Sequence, residues 1–384
     1  MRILFFIDTL GLGGVIRQLS LLAGGLQEKG HQVSVLALYP VDRDWGSMWE
    51  APQVRVRVLY ESRPGHIIPE SAGLVRATLE LRRLIKTERI QVLYAFQGHT
   101  ARLISWLAVC SVPGTKIVWG VQGSTPERRR GGYRQKRSPS LYVNKWVSPY
   151  VPLMISNSLF EGLASRRRLG YRCKSEIVIN NGIDTDKFRP DPSARGIVRR
   201  EWGIPGDSPL IGIAARLSPV KGHADFLKAA SLLLRERGDA RFVCIGDGDE
   251  PYRNELKLLG RDFGLGDLIL WAGVREDMPS VLNALDVLCS SSHSEGFPNV
   301  IGEAMACGVP CVVTDAGDSA LIVADLGTVV PPGDPAALAQ GLGGMLDMLP
   351  KVRRDDLRRR IEENFTLEKM IEETEKALEE MLNG

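Results

Sequence analysis

Two glutamates lie on either side of a Gly-Phe-Pro-Asn turn in the segment SEGFPNVIGEAMACGVPCVVTD. Glu295 follows an apolar run that predicts a strand, and Glu303 lies near the start of the helix predicted after the turn. A glycosidase would need two carboxyl groups flanking one bond. Here one acid is on a loop and the other on a helix. We therefore expect the two carboxylates to accept hydrogen bonds from hydroxyl groups on two parts of a ligand, a sugar and a ribose.

Two cations follow another predicted strand. Arg216 ends the apolar run LIGIAAR, and Lys221 comes five residues later, before Gly222 and a predicted helix. Arg and Lys are most often solvated surface residues, and that alternative stays open. A position at the carboxyl end of an apolar strand, however, suits the clamping of a diphosphate without a metal ion.

A glycine-rich loop, Gly11-Leu12-Gly13-Gly14, follows the first predicted strand and precedes an amphipathic helix. Such a loop lets a phosphate approach the backbone at a helix N-terminus. The dinucleotide fingerprint G-x-G-x-x-G is incomplete, because its last position is Ile16. NAD binding is therefore not expected, and a tight turn with a purely structural role remains an alternative.

Metal binding is not expected either. Two D-x-D pairs, one formed by Asp184 and Asp186 and the other by Asp247 and Asp249, could hold Mg²⁺ on a nucleotide diphosphate. Acids in turns and at helix N-caps are the simpler interpretation of both pairs. The six cysteines form no C-x-x-C pair and have no histidine at a metal-ligand spacing, which suits thiols in a reducing cytoplasm.

The length of 384 residues favours two domains, because a single core stops growing well below this size. With 44% apolar and 25% charged residues, the composition argues against the disordered, collagen-like and coiled-coil classes. No apolar run approaches the roughly 18 residues that a membrane-spanning helix needs. The N-terminus, MRILFFIDTLGLGG, is not expected to act as a secretory signal.

The net charge of +3 is unevenly distributed. Residues 1–190 contain 28 Lys+Arg against 14 Asp+Glu, a net +14, and residues 191–384 contain 21 against 32, a net −11. Dense basic runs lie at 127–137 and 165–172. We expect them to face an anionic cytoplasmic leaflet or a lipid-diphosphate acceptor, with solvated surface as the alternative. Nucleic acid is not expected, because no recognition motif accompanies these runs and the acidic half would repel a polyanion.

Apolar β-rich runs alternate with helical stretches along both halves of the chain, which predicts βα units and two mostly parallel sheets. The predicted strands of the first half lie at 2–8, 32–39, 54–60, 92–96, 116–121, 152–158 and 176–182, and those of the second at 210–216, 241–248, 268–273, 287–291 and 311–315. The polar segment NNGIDTDKFRPDPSARG predicts a linker. We expect two doubly wound α/β domains facing a cleft, with ligands beyond the carboxyl ends of the strands.

These features together resemble glycosyltransferase family 4, the retaining nucleotide-sugar enzymes with the GT-B fold. The matching segments are GLGG, NNGIDTDKF, AARLSPVKG, IGDGDE, WAGVREDMP, SEGFPNVIGEAMACGVPCVVTD and FTLEKMIEETEKAL, in that order. The resemblance implies an acceptor-binding Rossmann-like domain at 1–185 and a donor-binding one at 186–365. It also implies that the C-terminal helix, 366–384, returns to the first domain.

The resemblance also implies roles for individual residues. Arg216 and Lys221 would neutralise the donor diphosphate, Glu295 would contact the transferred sugar, and Glu303 would bond the ribose. The other implied donor-binding positions are Gly13, Gly14, Gln122, Val274, Arg275, Gly296, Phe297, Asn299 and Val300. Two positions depart from the family pattern. Ile16 replaces the glutamate of G-G-x-E, and Gln122 replaces a histidine after the fifth strand, so a proton-transfer role is not expected there. His99 could partly substitute.

The predicted function is a metal-independent retaining glycosyltransferase with no cofactor. It would use a UDP-, GDP- or ADP-linked sugar and a glycan or lipid-linked acceptor in polysaccharide or glycolipid assembly. The predicted location is the cytoplasm, with peripheral association at the inner face of the membrane. Two alternatives remain, namely a nucleotide-sugar epimerase or hydrolase on the same fold and an inactive scaffold member of the family.

Overall fold

A computed structural model describes residues 1–11, 13–40, 49–60, 70–110, 112–122, 139–206 and 208–384. The chain divides into two compact units. Unit 1 comprises Met1–Gly182 and Leu367–Gly384, and unit 2 comprises Ile183–Thr366. The basic run predicted at 127–137 lies outside the described residues.

Unit 1 alternates strands with helices along the chain. Its strands are β1 (Arg2–Leu10), β2 (Gln32–Pro40), β3 (Arg55–Val58), β4 (Val92–Gln97), β5 (Lys116–Val121), β6 (Leu153–Ser156) and β7 (Ser175–Val178). Its helices, apart from the C-terminal one, are α1 (Gly14–Glu28), α2 (Glu70–Thr87), α3 (His99–Val109), α4 (Pro139–Val147) and α5 (Leu159–Ala164), the last continuing into a π-helical turn at Ser165–Leu169.

The described strands of unit 1 form one parallel sheet in the order β3-β2-β1-β4-β5-β6-β7. Strand β1 pairs with β2 on one side and β4 on the other, so the chain reverses its winding direction there. The central strand β1 is apolar and its residues 3–7 are buried, as a strand covered on both faces requires. Strand β7 ends at Val178, four residues before the predicted end, because the polar Asn180-Asn181-Gly182 segment leaves the sheet.

Unit 2 has the same alternation. Its strands are β8 (Leu210–Ala214), β9 (Arg241–Ile245), β10 (Ile269–Gly273), β11 (Val287–Ser290), β12 (Cys311–Thr314) and β13 (Thr328–Val330). Its helices are α6 (Pro192–Glu201), α7 (His223–Leu233), α8 (Glu250–Asp262), α9 (Met278–Ala284), α10 (Asn299–Ala306), α11 (Ser319–Val323), α12 (Pro335–Met348) and α13 (Arg354–Asn364).

The described strands of unit 2 form a parallel sheet in the order β10-β9-β8-β11-β12-β13. This is the order 3-2-1-4-5-6 of a Rossmann fold, and the winding direction reverses between β8 and β11. The prediction of two doubly wound sheets is confirmed. The sequence prediction missed β13, because a strand of three residues is too short to show a hydrophobic period.

The last helix, α14 (Leu367–Asn383), belongs to unit 1, which confirms the predicted return of the C-terminal helix. Its buried stripe, Met370, Ile371, Thr374, Ala377 and Leu378, recurs at the spacing of one helix face. The helix packs on α1, and an added Cβ at Gly25 would lie 2.1 Å from Ile371 Cδ1. Glu375 also accepts hydrogen bonds from Lys29 Nζ at 2.9 Å and His31 Nε2 at 2.6 Å.

None of the helices in the described part of the chain combines the length and the apolar character needed to cross a membrane.

Candidate functional site

The winding reversal of unit 2 brings two loops to one edge of its sheet. One loop follows β8 and contains Arg216 and Lys221, and the other follows β11 and contains Glu295. Because β8 and β11 are neighbouring parallel strands, their carboxyl ends meet at this edge. Ligands of doubly wound sheets bind at this kind of crevice.

Lys221 and Glu295 form an ion pair there. Lys221 Nζ donates to Glu295 Oε1 at 2.5 Å, and the Ser292 hydroxyl donates to the same oxygen at 2.6 Å. Glu295 is only 9% exposed. The hydrogen bonds from Lys221 and Ser292 therefore replace those that water would make to its carboxylate. The sequence placed both charged residues at the site but did not indicate that they would meet.

Backbone contacts fix the turn that presents Lys221. The His293 N–H donates to the Val220 carbonyl at 2.8 Å, and the Ser291 hydroxyl donates to the Gly222 carbonyl at 2.9 Å. Gly222 has a left-handed φ of +66°, and a Cβ added to it would lie 1.9 Å from the Ser291 carbonyl oxygen. Only glycine fits here, so the turn and the loop after β11 are locked together.

We expect Gly222→Ala to lower the free energy of unfolding by about 3 kcal/mol, the sum of left-handed strain and a backbone clash. Gly203→Ala is the matched control, because Gly203 has a φ of +64° but an added Cβ would have no described residue within 4 Å. Strain alone should cost that variant about 1 kcal/mol. Urea denaturation followed by circular dichroism measures both, and equal losses would contradict the locked turn.

Arg216 has a different environment from Lys221. Its side chain is exposed, and among the described residues it makes no hydrogen bond or ion pair. A guanidinium in this condition can turn toward an anionic ligand without breaking an existing contact. The two predicted clamp residues therefore share one edge but differ in how firmly the protein holds them.

Helix α10 begins immediately after the loop that contains Glu295. Its N-cap is Pro298, whose side chain makes no capping hydrogen bond, and its first residues are Asn299 and Val300. The first N–H groups of a helix form an anion-binding position. Glu303 lies one turn further on and is 7% exposed. The predicted phosphate position, at Asn299 and Val300, and the predicted ribose position, at Glu303, therefore lie on one helix.

Four other predicted donor positions lie in unit 2, Gly296 and Phe297 after β11 and Val274 and Arg275 after β10. The Gly296 carbonyl accepts the Asp318 N–H at 2.9 Å, and the Phe297 ring packs on Phe365 with a centroid distance of 5.4 Å. The Arg275 side chain is held by Glu201 and Asp277, and Val274 is exposed. Any contact of a ligand with Phe297 or Arg275 would therefore use the backbone.

The remaining predicted positions belong to unit 1. Gly13 precedes α1 with a φ of +150°, and an added Cβ would have no described residue within 4 Å. Gly14 is the first residue of α1. Gln122 directly follows β5, and its side-chain Oε1 is buried without a hydrogen-bond partner among the described residues. A buried unpaired acceptor of this kind is costly unless a ligand or water satisfies it.

His99 lies at the same edge of the unit 1 sheet, after β4. Its Nδ1 lies 3.1 Å from the Tyr171 hydroxyl and 3.4 Å from Arg102 Nη1, so two donors face one nitrogen and the ring proton belongs on Nε2. Burial and, secondarily, the Arg102 charge lower the pKa of His99 to about 4. The ring is therefore neutral near pH 7.

The first aspartate of each D-x-D pair accepts hydrogen bonds from its own segment of the chain. Asp247 accepts the Gly248 N–H at 2.8 Å and faces Arg253 Nη1 at 2.7 Å, and these two donors hold its pKa below the usual range. Asp184 Oδ1 accepts the N–H groups of Asp186 and Lys187 at 3.1 and 2.8 Å. In the part of the chain that the structure describes, no three His, Cys, Asp or Glu residues are grouped as a metal site.

Sequence reasoning missed three residues that organise these sites. Ser292 bonds Glu295, and the Thr314 hydroxyl donates to the Ser292 carbonyl at 2.6 Å. Arg102 is 5% exposed and donates to the Gly120 carbonyl at 2.5 Å. The serine repeat after β11 was a usable signal, because hydroxyls at a strand end often bond the neighbouring loop. Arg102 had no such signal, because the Gly120 carbonyl that it bonds is 18 residues away in sequence.

Comparison with known proteins identifies two family models on this chain. The model described as Glycosyltransferase Family 4 matches residues 12–187, and the model described as Glycosyl transferases group 1 matches residues 208–348.

Curated relatives align with part of the chain. A GDP-mannose-dependent alpha-(1-6)-phosphatidylinositol monomannoside mannosyltransferase of Mycolicibacterium smegmatis is 33% identical over 43% of this chain and 45% of its own length. The UDP-Gal:alpha-D-GlcNAc-diphosphoundecaprenol alpha-1,3-galactosyltransferase of Escherichia coli is 33% identical over 38% of each chain. The aligned regions span less than half the length of either relative.

Solved structures match over nearly the full length. Sucrose-phosphate synthase of Thermosynechococcus elongatus has a TM-score of 0.84 at 18% identity, covering 100% of both chains. HepE of Anabaena in complex with UDP-glucose has a TM-score of 0.82 at 22% identity, covering 99% of this chain and 100% of HepE. At these identities the likeness concerns the fold. The two family models and the doubly wound sheets confirm the predicted resemblance to glycosyltransferase family 4, and the fold of the chain is GT-B.

Proposed function

We propose that this protein is a retaining glycosyltransferase that moves a sugar from a nucleotide-sugar donor to a hydroxyl group of a glycan or lipid-linked acceptor. The observation that supports it most is the Lys221–Glu295 pair at the winding reversal of unit 2, beside Arg216 and the start of α10. In this proposal unit 2 binds the donor and unit 1 binds the acceptor.

The chemistry follows from the charge that develops during transfer. Cleavage of the sugar–phosphate bond builds negative charge on a diphosphate, which preorganised cations and helix N–H groups stabilise. Arg216, Lys221 and the first turn of α10 provide this stabilisation in the proposed reaction, in place of a metal ion. The acceptor oxygen bonds the anomeric carbon on the same face from which the phosphate leaves, and the leaving phosphate accepts the hydroxyl proton. Attack on this face retains the anomeric configuration without a carboxylate nucleophile.

The substrate classes are proposed from the relatives. The two curated relatives are named for GDP-mannose and UDP-Gal as donors and for lipid-linked acceptors, and HepE was solved with UDP-glucose. A UDP- or GDP-linked sugar and an acceptor used in glycolipid or polysaccharide assembly are the corresponding proposals for this chain.

Two measurements test the function. A thermal-shift screen of nucleotide sugars should identify the donor, because a ligand that binds only the folded state raises Tm. Proton NMR of the reaction with that donor should then show an acceptor-dependent release of nucleotide diphosphate and an unchanged anomeric configuration. Release without acceptor would favour a hydrolase or epimerase, donor binding without turnover would favour a scaffold, and an inverted product would contradict retention.

For Gln122 we propose that the side chain, whose Oε1 has no hydrogen-bond partner among the described residues, bonds a hydroxyl group of a sugar substrate without moving a proton. Gln122→Ala should lower kcat roughly tenfold, as expected for the loss of one hydrogen bond in a desolvated site. The shape of the pH–rate profile should not change, because Gln122 does not titrate and His99 gains a proton only as the pH falls toward about 4.

The matched control for Gln122→Ala is Gln91→Ala. The wild-type Gln91 side chain accepts the Arg2 N–H at the opposite end of the sheet. Full activity of Gln122→Ala, or a limb near pH 6.5 that the substitution removes, would contradict the proposed role.

A further inference from the structure

Helix α4 has one face buried in unit 1 and the opposite face exposed. Its inner residues include Asn144, which donates to the His99 carbonyl at 2.8 Å, and Val147, which packs with Trp119 and Tyr171. These contacts hold the helix on the unit, so the outward face is a fixed feature of the surface.

The outward face is aromatic and apolar. Trp146 is 79% exposed, and Tyr150, in the 3₁₀ turn directly after the helix, is 69% exposed. Tyr142 and Val143 are also exposed. Because residues three and four apart lie on the same side of a helix, these four side chains form one patch, which we call the aromatic face. A contiguous exposed patch of aromatic and apolar side chains is typical of an interaction surface.

A basic segment lies beside the aromatic face. An added Cβ at Gly170 would lie 2.9 Å from Lys145 Cε, and the Ser148 hydroxyl accepts the Arg172 N–H at 2.9 Å. Immediately before Gly170, the π-helical turn contains three consecutive exposed arginines, Arg166, Arg167 and Arg168, which we call the arginine triplet.

The charge of this region is almost entirely positive. Residues 139–175 contain six basic residues, Lys145, Arg166, Arg167, Arg168, Arg172 and Lys174, and one acid, Glu161. Glu161 is fully buried, whereas all six basic residues are exposed. A partner that satisfies the whole region must therefore combine negative charge with an apolar layer that accepts aromatic rings.

We propose that the aromatic face and the arginine triplet dock unit 1 on the surface of an anionic phospholipid bilayer. Tryptophan and tyrosine are favoured at the boundary between headgroups and acyl chains, and cations beside them attract anionic lipids. This binding is peripheral, since it uses the exposed face of a helix that lies on the protein. It does not depend on the proposed glycosyl transfer, so failure of one proposal leaves the other standing.

Sedimentation of the full-length protein with vesicles tests the proposal. Vesicles containing phosphatidylglycerol should bind the protein at low salt, and phosphatidylcholine vesicles should not. Replacing the arginine triplet with alanines should weaken binding roughly 100-fold, about fivefold for each cation. Trp146→Ser should weaken it roughly tenfold, because one aromatic ring no longer enters the interface. High salt should weaken the wild type more than the alanine triplet variant, because screening acts on the charges.

Matched variants on unit 2 control for general changes in charge and hydrophobicity. Arg235, Lys257 and Arg261 are exposed cations, and Leu258 is an exposed apolar residue. Replacing the three cations with alanine, or Leu258 with serine, should leave vesicle binding unchanged. Replacing the triplet with lysines should retain it, which separates loss of charge from loss of folding.

Several outcomes would overturn the proposal. These are no binding to anionic vesicles at low salt, equal binding to neutral vesicles, and equal loss in the unit 2 variants. A dimer that Trp146→Ser abolishes, without vesicle binding, would instead assign the aromatic face to a second copy of the chain. Binding to nucleic acid but not to vesicles would likewise replace the bilayer as the partner.

Discussion

We expect Lys221→Ala to lower kcat/KM for glycosyl transfer by roughly 100-fold or more, comparable with the loss of a preorganised donor to a developing anion. Arg216→Ala should have an effect of the same order, and EDTA should leave the wild-type rate unchanged. Steady-state kinetics with the identified donor measures all three. Wild-type turnover in either variant, or inactivation of the wild type by EDTA, would contradict the proposed clamp.

Because Lys221 pairs with Glu295, a low activity of Lys221→Ala has two possible causes. A double variant distinguishes them. Without the lysine, the Glu295 carboxylate could simply repel the donor phosphates. If that were the cause, Lys221→Ala combined with Glu295→Gln would recover nucleotide affinity. If Lys221 binds the diphosphate itself, the double variant should bind nucleotide as poorly as Lys221→Ala alone. Lys228→Ala is the matched control, because Lys228 lies on α7, the helix that follows the Lys221 turn, and contacts the Phe263 ring.

We expect substitutions of Glu303 and Glu295 to affect different steps, namely nucleotide binding and sugar transfer. Glu303→Gln should weaken the binding of free nucleotide diphosphate roughly tenfold, as for one hydrogen bond to a charged group. Glu295→Gln should lower kcat roughly 100-fold, because its proposed partner is the transferred sugar. It should not weaken nucleotide binding, since removal of its charge releases Lys221 for the diphosphate.

Isothermal titration with the free nucleotide, combined with steady-state kinetics, measures this separation. Glu255→Gln on α8 is the control for a general change in charge, because Glu255 is an exposed helix residue. Weaker nucleotide binding in Glu295→Gln, or unchanged binding in Glu303→Gln, would show that the roles are exchanged or shared.

Local sequence patterns were sufficient for most of the fold. Buried parallel strands appear as apolar runs, and their order along the chain predicted the alternation of strands and helices in both units. The predicted ends were too long where polar residues continued an apolar run, as after β7 and β8. Strand β13 was missed because three residues depend on pairing with β12 rather than on their own composition.

The sequence by itself determined that Arg216, Lys221, Glu295 and Glu303 follow strand ends or begin a helix, because chain position relative to a parallel strand decides which edge of the sheet a loop occupies. Only the tertiary structure decided that Lys221, and not Arg216, meets Glu295. That contact depends on the adjacency of β8 and β11 and on a left-handed glycine fitted against the Ser291 carbonyl.

On the surface of unit 1, too, the sequence determined one feature and only the tertiary structure decided the other. The arginine triplet was evident from composition, whereas the aromatic face was not, since Trp146 and Tyr150 would suit a core equally well. Only packing decides which side of a helix is buried. In α4, Asn144 and Val147 take the inner side, and the geometry of the helix then forces Trp146 outward.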